Sequence, residues 1–273
     1  MIAAAHQLLT ERVSGDYKAR SEDPDDPQTV QAMQMAINLP KQDPPSRNQV
    51  LADAARAAVA VCLDPRAGED GFWREALDDW YSHRIRKVAR RARNKAWDDV
   101  QALPGVTVGN VRAFVPSAVA DVPHAIAKLQ IKGTDIEPGE VLPRDPHVPL
   151  IALDASLHMS AGKAAAQAGH ASMLLAAARE TAWVQRWAEA GFPLNVRELP
   201  REEFAELAAV PRRLRCATPG SRRSRPAPPQ RSLLLSDEPP QRPAHDFRVR
   251  GVPERREAAP DKRSVALGHQ PVV

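Results

Sequence analysis

The sequence predicts an α/β protein, and one strand–loop–helix unit is its central element. The apolar run Val148–Leu153 is typical of a strand that is buried on both faces. Ser160 is a suitable N-cap, and an alanine-rich helix is predicted from there to about Ala178. A comparable unit occurs earlier, where a candidate strand ends at Leu39 and Ser46 precedes a second helix. Strands that alternate with helices favour an α/β fold.

One face of the later helix carries the candidate functional residues. Lys163, Gln167, His170 and Leu174 follow one another at steps of four, three and four, so they share a helix face. A strand, a short loop and a helix start also offer backbone N–H groups to an anion. The alternative interpretation is an alanine-rich packing helix with a solvated lysine and a hydrogen-bonded histidine.

A nucleotide-binding P-loop is excluded at this position. That motif needs a glycine five residues before its Gly-Lys pair and a serine or threonine after it. Leu157 and Ala164 occupy those places.

Composition limits the other classes of function. The tail, residues 211–273, holds 13 arginines and Lys262 against six acidic residues, which gives it a net charge of +8. Because the whole chain has a net charge of +4, residues 1–210 have a net charge of −4. The isoelectric point is therefore weak evidence that the folded part binds RNA. Cys62 and Cys216 have neither disulfide nor metal-ligand spacing. Without a secretion signal or a membrane-length apolar run, the chain is expected to be cytoplasmic.

Residues 159–171 resemble the opening of class II (archaeal and eukaryotic type) peptidyl-tRNA hydrolases. They read Met-Ser-Ala-Gly-Lys-Ala-Ala-Ala-Gln-Ala-Gly-His-Ala after an apolar strand. The resemblance is dense over residues 148–178 and looser to about residue 209. It implies a three-layer α/β/α sandwich on a small mixed sheet. It also implies that water hydrolyses the ester between a peptide and the tRNA 3′ end, with peptidyl-tRNA as the partner and no cofactor or metal.

The resemblance also implies the site residues. Lys163, Gln167 and His170 match family positions, whereas Ala161 stands where the family usually has a further lysine. The implied catalytic residues are Lys163 and His170, and the implied substrate-binding residues are Ser160, Gly162, Lys163 and Gln167. Lys163 would bind phosphate or stabilise the developing oxyanion.

A basic segment in the first half has two structural interpretations. Residues 83–93 form a helix with cations outward, or residues 84–88 form a strand. The predicted tRNA-backbone contacts are Arg86, Lys87, Arg90 and Arg91. The alternative is a solvated charged surface.

The domain organisation follows from these patterns. Residues 1–28 are predicted to be a disordered leader, 29–132 an N-terminal α+β domain and 133–147 a linker rich in proline. Residues 148–210 would be a partial hydrolase-like domain. The N-terminal domain is expected to contain a strand at 32–39, helices at 47–63, 73–80, 95–103 and 123–129, and a hairpin around Gly109 and Asn110. This order of elements echoes that of residues 148–209, which suggests a degenerate repeat in which Gln49 takes the place of Lys163.

The tail, residues 211–273, is predicted to be disordered, basic and rich in proline. It lacks the motif with which the resembled family closes its site. One permitted codon choice for residues 217–228 encodes that motif in a shifted frame, which is a hypothesis of a frameshift near residues 209–214. The domain would then lack its C-terminal strands. The alternatives to a hydrolase are a non-catalytic RNA-binding protein and an inactive truncated product.

Overall fold

The computed structural model describes residues 2–14, 22–23, 25–138, 143–209, 215–218 and 230–235 of the 273-residue chain. In these ranges the helices are α1 (Ile2–Ser14), α2 (Arg47–Cys62), α3 (Phe72–Tyr81), α4 (Lys95–Val100), α5 (His124–Ala127), α6 (Ala161–Ala177), α7 (Thr181–Glu189) and α8 (Arg201–Ala209). The strands are β1 (Gln31–Asn38), β2 (Arg86–Ala92), β3 (Gly105–Val108), β4 (Val111–Phe114), β5 (Ser117–Ala118), β6 (Leu150–Asp154), β7 (Asn195–Leu199), β8 (Arg215–Thr218) and β9 (Gln230–Leu235).

The strands form two mixed sheets with the same topology. The first sheet has the order β2-β1-β4-β3, with β5 added beside β1, and the second has the order β7-β6-β9-β8. In each sheet the first pair of strands is parallel, and the remaining strands pair antiparallel. The predicted α/β class, with small mixed sheets and helices on both sides, is confirmed.

The order of elements along the chain is also the same in both halves. Each half, residues 2–138 and residues 143–235, contains a strand, two helices, a parallel strand, a further helix and a hairpin, although the first also has α1, α5 and β5. Thus β1, α2, α3, β2 and α4 correspond to β6, α6, α7, β7 and α8, and the β3–β4 hairpin corresponds to β8–β9.

Helices α2 and α6 pack directly against each other between the two sheets. Ser172 Oγ donates a buried hydrogen bond of 2.7 Å to the carbonyl of Ala55. At Gly169 an added Cβ would lie 3.1 Å from both Ala58 Cβ and Lys87 Cδ. Small side chains on α6 therefore bring its backbone close to α2 and to β2 of the first half.

One hydrophobic core extends through both halves. The largest cluster of buried side chains includes Met35 and Trp80 from the first half and Leu153 and Trp187 from the second. Smaller clusters lie beneath α4 and α5 and beneath α8, on the outer faces of the two sheets. The chain thus has two sheets but one shared interior.

The expectation of a disordered leader is wrong for Ile2–Ser14, which forms helix α1. Ala5, Leu8 and Leu9 are buried, and their spacing places them on one helix face. His6 Nε2 lies 2.9 Å from the carbonyl oxygen of Ala176 in α6. This apolar stripe is short, but both halves cover it, with Pro65–Gly68 and α3 from the first half and α6 and α7 from the second. Residues 15–21 and 24 lie outside the described residues.

The expectation of a disordered tail is wrong at β8 and β9. Strand β9 pairs antiparallel with β6, with Ala152 opposite Leu233, and β8 pairs with β9. Strand β7 pairs with one edge of β6. Without β9, the backbone groups on the other edge of β6 would have no hydrogen-bond partner within the sheet. The remainder of residues 211–273 lies outside the described residues.

The basic segment of the first half is a strand, which was one of its two interpretations. Strand β2 covers Arg86–Ala92 and pairs in parallel with β1, with Ala36 opposite Arg90. The predicted hairpin at Gly109 and Asn110 is confirmed, and the buried Asp53 carboxylate accepts the Asn110 N–H at 2.9 Å.

Replacing Gly169 by leucine is expected to destabilise the fold by about 1–3 kcal/mol or more, because the added side chain must displace Ala58 and Lys87. Urea unfolding followed by circular dichroism measures the free energy of unfolding. The matched control is Ala182→Leu at an exposed position of α7. Equal stability of the two variants would contradict the close approach of the helices.

The amides of Ser232–Leu235 are expected to be protected from hydrogen exchange, because β9 pairs with β6 and β8. Exchange followed by mass spectrometry on peptides that cover residues 228–238 makes the measurement. Exchange in this peptide as fast as in the urea-unfolded chain would show that β9 does not form.

Candidate functional site

The candidate site begins where β6 passes into α6. Ser160 adopts an extended backbone at the N-cap, and its Oγ accepts the Lys163 N–H at 3.4 Å. The Ser160 hydroxyl therefore has a capping role in this structure. Lys163 lies in the first turn with an exposed side chain. An exposed cation at a helix N-terminus is placed to meet an anionic ligand from solvent.

Two of the predicted substrate-binding residues are buried. Gln167 is 4% exposed. Gly162 faces the first half, where an added Cβ would lie 2.7 Å from Thr134 Oγ1 and 3.3 Å from Ala89 Cβ. Gly162 thus allows α6 to lie close to β2 and to Thr134. Neither residue is exposed beside Lys163, and their predicted roles stay predictions.

His170 lies against a lysine of the first half. Lys87 Nζ is 3.3 Å from His170 Nδ1 and 4.9 Å from the centre of the Trp80 ring. An ammonium group only donates, so Nδ1 accepts and the proton of the neutral imidazole lies on Nε2. Burial, and secondarily the charge of Lys87, lowers the pKa of His170 well below its ordinary value. A neutral His170 suits packing or orientation better than proton donation.

The structure does not bring Lys163 and His170 together. They share a face of α6 but are seven residues apart, which corresponds to about 10 Å along the helix axis. Lys163 is exposed at the helix start, whereas His170 is partly buried beside Lys87. The catalytic role predicted for each stays a prediction, and a direct contact between them is not part of it.

An arginine from the first half reaches this site, and sequence reasoning missed it. Arg47 is 6% exposed and donates from Nε and Nη2 to the two carboxylate oxygens of Glu198, at 2.6 and 2.7 Å. Its guanidinium also donates to the carbonyl of Met159 at 2.6 Å and to that of Ile136 at 2.9 Å. Met159 directly precedes the cap of α6. No local pattern signals this contact, because Glu198 is 151 residues away in the chain.

The matching helix of the first half carries different chemistry. The two helices can be aligned by their caps, Ser46 and Ser160. Gln49 then corresponds to Lys163, Asp53 to Gln167 and Arg56 to His170. Gln49 donates to Asp53 at 2.8 Å, and Arg56 donates to the carbonyl of Gly191 at 2.9–3.0 Å. The first half thus has no lysine at the start of its helix.

The four cations predicted to contact a tRNA backbone all have protein neighbours. Arg86 forms a bidentate pair with Glu22 at 2.6 Å, and Lys87 contacts His170. Arg90 donates to Gln34 at 2.9 Å, and Arg91 donates to Gln130. Alternate residues of a strand point to opposite faces, so the four side chains divide between two faces of the first sheet. A single RNA-binding surface that uses all four is therefore not formed by β2, and the contact with tRNA stays a prediction.

One comparison with known families concerns the second half. Residues 148–218 match the family model of peptidyl-tRNA hydrolase PTH2. The match covers about a quarter of the chain and runs from β6 through β8, so it includes α6 with Lys163, Gln167 and His170. No curated protein and no solved structure matches the chain. The match supports the family for this region, and the frameshift stays a hypothesis.

Two features are absent from the described ranges. No group of three or more His, Cys, Asp or Glu side chains there is arranged to hold a metal ion. In the same part of the chain, no helix has the length and apolar composition needed to cross a membrane.

The stability of the protein is expected to depend on pH through His170. Its pKa is lower in the folded state, so the unfolded chain binds the proton more readily. This contribution to stability is fully present above a pH of about 6.5 and is lost as the pH falls below that value. His170→Gln should therefore flatten the dependence of urea unfolding midpoints on pH between about 5 and 7.

The exposed His124, changed to glutamine, provides the control for this measurement. If the His170→Gln and His124→Gln variants lose stability equally steeply on acidification, His170 is not the group that titrates.

Proposed function

We propose that the second half binds peptidyl-tRNA and hydrolyses the ester between the peptide and the tRNA 3′ end. The observation that carries the proposal is the match of residues 148–218 to the peptidyl-tRNA hydrolase PTH2 family model. The exposed Lys163 at the start of α6 supports it, because this position lies within the match.

The proposed role of Lys163 follows from the reaction. When water attacks the ester carbonyl, negative charge develops on the carbonyl oxygen. A cation on the N-terminal turn of α6 would stabilise that charge or hold a phosphate of the tRNA end, and the helix dipole would act in the same direction. Ser160 would act indirectly by capping this turn.

The expected turnover is slow. Residues 211–235 contain no aspartate or glutamate, although the resembled family closes its site with a motif that includes a carboxylate. Ala161 also replaces a lysine that is usual in the family. The second candidate function, a non-catalytic RNA-binding protein, is favoured by these two departures.

Lys163→Ala is expected to weaken binding of peptidyl-tRNA and to slow its hydrolysis. Because the side chain is exposed, the free energy of unfolding should change by no more than about 0.5 kcal/mol. Peptidyl-tRNA hydrolysis and tRNA binding at two salt concentrations measure the two effects. The control is Lys132→Ala, another exposed lysine outside α6.

The outcomes separate the candidates. Turnover that depends on Lys163 supports a hydrolase, and binding without turnover supports the non-catalytic alternative. Equal behaviour of the Lys163 and Lys132 variants would reject a site at α6. A version with its frame restored near codon 210 should hydrolyse faster than the chain as written; equal rates would show that the missing motif is not needed.

A further inference from the structure

A buried arginine of the first half is bonded to the loop that leads into the candidate site. Arg47, at the start of α2, donates to the Met159 carbonyl at 2.6 Å, one residue before the Ser160 cap. Lys163 lies in the helical turn that this cap begins. The position of the β6–α6 loop is thus tied to a residue more than a hundred positions earlier in the chain.

The Arg47 guanidinium is held in place by its hydrogen bonds to Glu198, Ile136 and Met159, and this set of bonds is called the Arg47 clamp. Its bidentate pair with Glu198 holds the guanidinium on β7, and the bond to Ile136 holds it on residues 133–138, which follow α5. The side chains of Arg47 and Glu198 are 7% and 15% exposed, so the pair is poorly screened by solvent. Bidentate arginine–carboxylate pairs restrict orientation as well as adding energy. The guanidinium therefore joins three segments: β7, residues 133–138 and the loop before α6.

The first half has no equivalent of Lys163 but holds the loop that precedes it. Gln49 takes the place of Lys163 in the matching helix, and it contacts Asp53. Arg47 of the first half donates a hydrogen bond to the Met159 carbonyl in the β6–α6 loop.

We propose that Arg47 is a positioning residue for the second half: it holds the β6–α6 loop so that the first turn of α6 presents Lys163 in a fixed orientation. Through Arg47, the first half then helps to position the site of the second half. The catalytic part of this inference rests on the proposed function, whereas the positioning of α6 does not.

The first test is hydrogen exchange in the full chain carrying Arg47→Lys. This change keeps the positive charge but removes the planar fork that joins Glu198 to Met159. Amide exchange at Ala164–Ala166, the first residues with helical hydrogen bonds in α6, is expected to accelerate about tenfold, because the loop that caps them loosens. Exchange at Met173–Ala176 should not change.

The matched control is Arg12→Lys. Arg12 also forms a bidentate pair between two elements, with Asp78, but that pair is exposed and does not touch the β6–α6 loop. Amide exchange that accelerates equally along the whole of α6 in the Arg47→Lys variant would show general destabilisation instead of local positioning, and would overturn the proposal. No acceleration at Ala164–Ala166 would overturn the proposal.

The second test is a double-mutant cycle with Lys163→Ala, read as kcat/KM for peptidyl-tRNA hydrolysis or as tRNA affinity. Misplacement of a site by about 1 Å costs up to a hundredfold in rate. Arg47→Lys should therefore reduce kcat/KM or affinity about tenfold or more in the native background and have little effect once Lys163 is alanine. Equal effects in both backgrounds would show that Arg47 does not act through Lys163.

The two tests distinguish failure of this inference from failure of the proposed function. If the native chain neither hydrolyses nor binds peptidyl-tRNA, the proposed function is wrong, and the exchange of Ala164–Ala166 alone decides whether Arg47 positions the loop. If Arg47→Lys lowers the thermal midpoint too far for the assay, Glu198→Gln is measured in its place, because it weakens the same clamp without altering Arg47 itself.

Discussion

The close packing of α6 against the first half is the constraint on which the rest of the structure depends. Gly169 leaves room for Ala58 and for the stem of Lys87, and Ser172 bonds to the backbone of α2. A large side chain at Gly169, such as leucine, would have to displace Ala58 and the stem of Lys87. Because α6 also carries Lys163, the surface that stabilises the protein and the surface proposed to bind substrate are two faces of one helix.

The equal topology of the two sheets explains how this arrangement arises. Helices α2 and α6 occupy the same place in their halves, and each contacts strands of both sheets. Such a pair has the character of an isologous interface, in which the same surface of two similar units is used twice. The two halves differ chemically, since Arg56 takes the place of His170 and bonds to a backbone carbonyl of the other half.

Two buried cations of the first half are directed at the second. Lys87 faces His170, and Arg47 faces Glu198 and the carbonyl of Met159. Burying a cation is costly unless it gains partners. Arg47 has a carboxylate, whereas Lys87 has a neutral imidazole whose pKa it helps to lower. These contacts make the first half part of the environment of α6 rather than an independent attachment.

The sequence by itself determined the elements that follow from local patterns. The alanine-rich helix with its serine cap, the turn at Gly109 and Asn110 and the exposed lysine near the start of α6 are all local features. Only the tertiary structure decided the rest. The apolar stripe of α1 is too short to predict a helix, and it is buried only because Pro65–Gly68, α3, α6 and α7 meet around it in the folded chain. Strand β9 forms because it pairs with the edge of β6 that β7 leaves open. Arg47 bonds to Glu198, which is 151 residues away in the chain. Such contacts depend on which surfaces meet in space, and no sequence period records that.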